Sequence, residues 1–275
     1  MTYATLMVHL QPGRSNVAVL AWARRLAGSF NAAVVGIAAT QPMPMAVGDG
    51  LMAADLYELS RDEMTGEVGQ AEAEFRSALA PTVTDLSWRS ASLMTSLPDY
   101  MAREMRSADL LLTGVDASDY FDNMRRVDTT DLIMRAGRPV LLVPALAETP
   151  RMDRMMIGWK DTRETRRAVV DALPLLRMAA HVTLAEVRGE ATRAEGDSRL
   201  ADVAVWLARH GVDAECVSSP PGGDDATVLF ALGQDRGIDI TVAGAYGHSR
   251  LREWALGGVT RDLLVSGQRC SLVSH

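Results

Sequence analysis

A repeat at one fixed offset constrains this chain more than any other feature. Gly114 and Gly244, Thr130 and Thr260, and Gly137 and Gly267 each stand 130 residues apart. Matching apolar runs frame them. Leu110-Leu111-Leu112-Thr113 precedes the first set and Ile238 to Ala243 the second. Pro139 to Val143 follows the first and Cys270 to Val273 the second. A chain of 275 residues that repeats itself in this way reads as two copies of one domain of ordinary size. Such a pair can mimic a symmetric dimer inside one chain.

Each copy alternates short apolar runs with stretches of helical spacing. In the first, strands are expected at Thr5–Val8, Ala32–Ala39, Leu86–Trp88, Leu110–Thr113 and Pro139–Val143. Helices are expected after Ser15 as N-cap, over about Met52–Leu79, over Leu97–Met105 and near Asp131–Met134. Ala145 to Asp153, with Pro150, reads as a linker between domains at 1–146 and 154–275. The pattern then restarts, with strands at Met155–Trp159, Val182–Val187, Val212–Val217, Ile238–Ala243 and Cys270–Val273. Helices are expected at Glu164–Met178, Leu200–Arg209 and Ala226–Gln234. Strands that are apolar almost throughout, each followed by a helix, predict a parallel α/β sheet with both faces covered.

Composition narrows the function classes. A net charge of −7 leaves no broad basic field to neutralise phosphates, so nucleic acid is not the expected partner. No apolar run is long enough to span a bilayer. The opening MTYATLMVHL lacks the basic start and long apolar region of a signal peptide. Cys216 and Cys270 have no metal-ligand spacing and are expected as buried, reduced strand residues, hence a cytoplasmic location. With only 5% aromatic residues, the 15 methionines are expected to fill core rather than to form a promiscuous surface.

The stretch with the clearest chemistry runs from Thr241 to Ser266. A strand ending at Ala243 feeds Gly244 and Gly247. Gly257 and Gly258 then open a helical pattern at Val259–Leu264. Backbone N–H groups at a helix N-terminus lack partners, and the helix dipole favours negative charge there. Glycine lets the chain approach an anion closely. The same glycines could equally make nothing more than a tight strand-to-helix connection.

The spacing G-x-x-G-x9-G resembles the nucleotide-binding motif of the universal stress protein family, in its tandem two-domain form. Gly137-Arg138-Pro139-Val140-Leu141-Leu142-Val143-Pro144 and Arg167-Ala168-Val169 with Asp171-Ala172-Leu173-Pro174 carry the resemblance further. It covers nearly the whole chain. It implies two doubly wound, five-stranded domains, Rossmann-like and similar to the adenine nucleotide alpha hydrolases, that pair through their fifth strands. It also implies an adenine nucleotide bound by Gly244, Gly247, His248, Ser249, Gly257, Gly258, Val259 and Thr260, with Gly158, Lys160 and Val187 on the sugar and base side. ATP, with or without magnesium, is the leading ligand, with ADP or AMP as alternatives.

Three departures bear on that expectation. Gly258 stands where the family has a hydroxyl residue, which Thr260 can supply nearby. The family's acidic residue at the end of the first strand is matched by Gln11 and Lys160, and an ammonium cannot accept a ribose hydroxyl. Lys160 could pair with a phosphate or with Asp161. In the first half, Ala117, Val127 and Asp128 stand opposite Gly247, Gly257 and Gly258, and Asp116, Asp119 and Asp122 add charge. Val127 resists positive φ and the acids repel phosphate. Arg125 and Arg126 compensate only in part, so the first-half loop reads as degenerate. A metal site, a solvated acidic loop and a partner-binding loop are the open alternatives there. His248, Arg250 and Arg252 suit phosphate but also suit a plain solvated loop, and Val187 suits plain core.

Two functions follow: a nucleotide-binding stress sensor or regulator, and a nucleotide-independent protein–protein interaction module. Catalysis is not expected beyond slow ATP hydrolysis, since no Ser-His-Asp order or H-E-x-x-H pattern is present. A homodimer or an intramolecular pseudo-dimer, and a protein partner of unknown identity, complete the expectations.

Overall fold

The computed structural model describes residues 2–42, 50–115, 127–187, 193–222, 225–245 and 269–275, with backbone alone at 50–57 and 193–197. Its first half runs β1 (Thr5–His9), α1 (Val17–Phe30), β2 (Ala33–Thr40), α2 (Gly50–Leu79), β3 (Leu86–Ser92), α3 (Leu97–Glu104), a short 3-10 turn (Met105–Ser107), β4 (Leu110–Val115), α4 (Thr129–Ala136) and β5 (Val140–Pro144). The second runs β6 (Arg154–Trp159), α5 (Arg163–Leu176), β7 (His181–Val187), α6 (Arg193–Arg209), β8 (Ala214–Ser219), α7 (Asp225–Asp235), β9 (Ile240–Gly244) and β10 (Cys270–Ser274).

The strands form one sheet of ten in the order β3-β2-β1-β4-β5-β10-β9-β6-β7-β8. Every pairing is parallel except the central one, where β10 runs antiparallel to β5 with Leu272 opposite Leu141. The fifth strands therefore join the halves, as the resemblance implied. Both are buried along their whole length, which suits the middle of the sheet. Tyr3 donates its hydroxyl to the Asp171 carbonyl at 2.6 Å, and Trp22 its indole N–H to the Ala147 carbonyl at 2.8 Å.

One face of the sheet carries a single hydrophobic cluster built from α1, α2, α5 and α6 of both halves. On the other face, α3 and α4 cover the first half through Leu97, Met101, Leu132 and Ile133. A smaller group of Met156, Ala185 and Ile238 lies under Leu229 and Leu232 of α7. Met7, Met64, Met101, Met105, Met152, Met155 and Met156 are all buried, so methionine fills this aromatic-poor core as expected.

Helix starts follow capping chemistry. Ser96 accepts from the Asp99 N–H, Asp128 from those of Thr130 and Asp131, and Thr162 from that of Thr165. At α1 the expectation fails by one residue. Asn16, not Ser15, is the cap position, and its side chain turns back to accept from the Gln11 N–H at 2.9 Å. Cys270 is buried as expected, and burial raises its thiol pKa. Cys216 is a correction: it is exposed, because β8 is an edge strand with a solvent-facing side.

Candidate functional site

In an open parallel sheet, ligands bind beyond the carboxyl ends of the strands, where the strand order reverses. Here that happens twice, between β1 and β4 and between β6 and β9. The sheet register relates the two places. Leu6 pairs with Leu110, and Met155 with Ile240. Gln11 and Lys160 lie five residues beyond Leu6 and Met155, so they are counterparts, as the sequence comparison placed them.

The second place brings three of the expected residues to one edge. Gly158 pairs with Ala243 on one side and Ala185 on the other. Gly244 ends β9 and Val187 ends β7, half-buried rather than fully buried. A Cβ on Gly158 would stand 3.2 Å from Leu229 Cδ1, a tight contact with the end of a side chain. Gly247, His248, Ser249, Gly257, Gly258, Val259 and Thr260 lie outside the described residues.

Gly244 is more sharply constrained. A Cβ on it would stand 2.4 Å from the Thr165 nitrogen and 2.6 Å from the Glu164 carbonyl carbon. The first turn of α5 therefore sits directly on the end of β9, and only glycine permits the approach. That turn is already satisfied from within. Thr162 caps the Thr165 N–H at 3.3 Å, and the buried Glu164 carboxylate is paired with Arg163. Burial works to raise the Glu164 carboxyl pKa. Hydrogen bonds from Arg163, from its own backbone and from Thr162 outweigh burial and hold it below the usual carboxylate range. Glu164 already occupies the dipole end of α5, so this helix start offers an anion no free charge of its own.

Lys160 pairs with Asp225 at 3.5 Å, across to the start of α7. The expected partner Asp161 is instead matched to Arg166 at 3.2 Å. Lys160 thus links the chain just beyond β6 to the start of α7. Asp225 and the α5 first turn were not visible as site residues. The Thr162-x-x-Thr165 spacing is a legible cap signal, but burial of Glu164 follows from packing alone.

The first place is built differently. Gln11 donates its side-chain amide to the Gly114 carbonyl at 3.1 Å. Beside it lies a cavity of about 210 Å³ bordered by Gln11, Ser15, Gly114, Val115, Val143 and Ala145. Among the described residues, nothing stands within 4 Å of a Cβ on Gly114. Just beneath, His9 is buried and its Nδ1 lies 2.9 Å from Thr113 Oγ1; burial lowers its pKa to about 4. The acidic loop of Asp116, Asp119 and Asp122 lies outside the described residues. Among those that are described, no cluster of His, Cys, Asp and Glu could hold a metal, and no helix is long and apolar enough to cross a membrane.

Solved structures share this architecture. The chain is similar to a universal stress protein from Archaeoglobus fulgidus, with a TM-score of 0.68 at 11% identity, covering 98% of this chain and 95% of that one. It is also similar to a protein of unknown function from Pseudomonas aeruginosa, with a TM-score of 0.60 at 16% identity, covering 99% and 92%. No protein-family model and no curated protein matches the sequence. At these identities the likeness establishes the fold: two tandem α/β halves arranged as in a universal stress protein structure.

Proposed function

We propose that this chain is a tandem universal stress protein that binds one adenine nucleotide in its second half and acts as a stress-response sensor or regulator rather than as an enzyme. The observation that carries this reading is the position of Gly244. It ends β9 where the strand order reverses, and the G-x-x-G-x9-G sequence leaves the sheet from that point. In this reading the division lies between domains at 1–146 and 154–275. Gly247, Gly257, Gly258, Val259 and Thr260 cradle the phosphates, with His248 and Ser249 as side-chain donors. Gly158, Lys160 and Val187 border the sugar and base. ATP is the leading ligand, with ADP and AMP as alternatives, and the protein works in the cytoplasm. Binding orders the loop and alters the surface offered to a partner.

The Lys160–Asp225 pair favours a second reading, a nucleotide-independent interaction module, because an ammonium stands where the resemblance expects a ribose acceptor. Thermal unfolding with ATP and magnesium separates the two. At about 100 times the dissociation constant, ligand should stabilise the folded state by roughly 2.7 kcal/mol, and Gly257→Val should abolish the gain. Absence of any gain with ATP, ADP and AMP would leave the module as the better account.

A further inference from the structure

Helix α2 is longer than the sheet it covers. Its 30 residues rise about 45 Å, whereas the 8 residues of β2 span about 26 Å. The helix joins the parallel strands β2 and β3, so it runs back against them. Phe75 fixes its height. A Cβ on Gly36 would stand 2.9 Å from the Phe75 ring, and Gly36 pairs with Val8, next to the end of β1. From Phe75 back to Gly50 the helix climbs about 37 Å, while β2 continues from Gly36 to Thr40 for only about 13 Å. The first turns of α2 therefore run past the carboxyl edge of the sheet.

Helical periodicity separates two faces. Met64, Ala71, Phe75 and Leu79 are buried and mark the inward face. Leu59 lies about 140° round the helix from Met64, and it is 66% exposed. Leu56 and Met52, one and two turns earlier, occupy positions within about 60° of Leu59. Asp55, Asp62 and Glu63 fall in the same arc, and Asp62 and Glu63 are exposed. Arg61, the one base between Gly50 and Gly66, falls about 160° from Leu59. The outward positions thus form a short apolar stripe bordered by acids alone.

Charge decides what fits that stripe. A second copy of this helix would bring its own acids against these and be repelled. A helix whose apolar stripe is bordered by Lys or Arg would bury Leu59 and pair its cations with Asp55, Asp62 and Glu63. We propose that the outward face of the first turns of α2 docks a basic amphipathic helix of a partner protein, with Leu59 as the apolar anchor. This surface needs no nucleotide, so it stands or falls apart from the reading above.

Fluorescence anisotropy of the full chain, without nucleotide, tests the proposal. The probe is a labelled helical peptide of about 18 residues with leucine on one stripe and lysine elsewhere. A glutamate-for-lysine version is the control. The lysine peptide should bind and the glutamate peptide should not. Leu59→Ser should weaken binding about tenfold by removing the anchor. Asp62→Asn combined with Glu63→Gln should weaken it several-fold and flatten its salt dependence. Leu59 is exposed, so the urea midpoint of Leu59→Ser should match the parent and report an intact fold. No binding at about 100 µM protein overturns the proposal. So does equal affinity in Leu59→Ser, which would place the peptide elsewhere on the acidic surface. A dimer of the parent in sedimentation that Leu59→Ser abolishes would also overturn it, by naming a second copy as the occupant.

Discussion

The two halves of the sheet keep the same strand order, yet they finish their central strands in opposite ways. In the first half β1 ends on His9, a buried imidazole hydrogen-bonded to Thr113, and the place of Gly114 is open among the described residues. In the second half the counterparts are Gly158 and Ala243, and Gly244 is pressed against the first turn of α5. Helix α5 starts at Arg163, the counterpart of Arg14, whereas α1 starts later, at Val17. That earlier start is what brings a helix turn onto the strand end. The inner strands are held by apolar packing on both faces, and both halves keep them. Their carboxyl ends carry no such constraint and have diverged.

The largest expected effect tests the His9 side of this contrast. Folded His9 stays neutral down to about 4, against a usual imidazole value of 6.5. Below that usual value the unfolded chain takes up a proton that the folded chain does not. Stability should therefore fall as the pH drops from 7 towards 4, by up to about 3 kcal/mol from this group. Urea unfolding across that range should show the slope, and His9→Asn should flatten it. An unchanged slope in the variant would show that the first-half strand end is not a buried titrating site.

Next in size is the glycine pair. Gly244→Ala must push a backbone turn aside and should cost about 1–3 kcal/mol. Gly114→Ala meets no described neighbour and should stay within about 0.5 kcal/mol. Equal losses at both positions would erase the distinction between the two halves. The smallest effect belongs to Lys160. Its pair with Asp225 is more than a third exposed on both sides, so Lys160→Ala should cost less than about 1 kcal/mol, and less again at high salt. A larger, salt-independent loss would mean that the pair closes the second-half mouth more firmly than its geometry indicates.

Much of this frame is legible in the sequence, for physical reasons. Runs such as Leu110–Leu112 and Ile240–Ala243 are largely apolar because both faces of their strands are covered, and their fixed spacing exposed the repeat. The fifth-strand pairing of Leu141 with Leu272 came from the family resemblance rather than from periodicity. Periodicity also gives no strand order, which is why Cys216 on the edge strand β8 read as buried. Gly158 and Gly244 were singled out in the sequence, and the fold sets both near the carboxyl ends of neighbouring strands. Their contacts, Leu229 and Thr165, come from distant elements that only the fold brings near. The same holds for Lys160, whose partner lies not next to it at Asp161 but in a later helix at Asp225.

The central claim is that duplication left two equivalent frames but one nucleotide site, in the second half. Stoichiometry tests it most directly. Isothermal titration of the whole chain with ATP and magnesium should give one nucleotide per chain, with Gly257→Val abolishing the heat and Val127→Gly leaving it unchanged. Two nucleotides per chain, or one that survives Gly257→Val, would contradict the account by placing a working site in the first half.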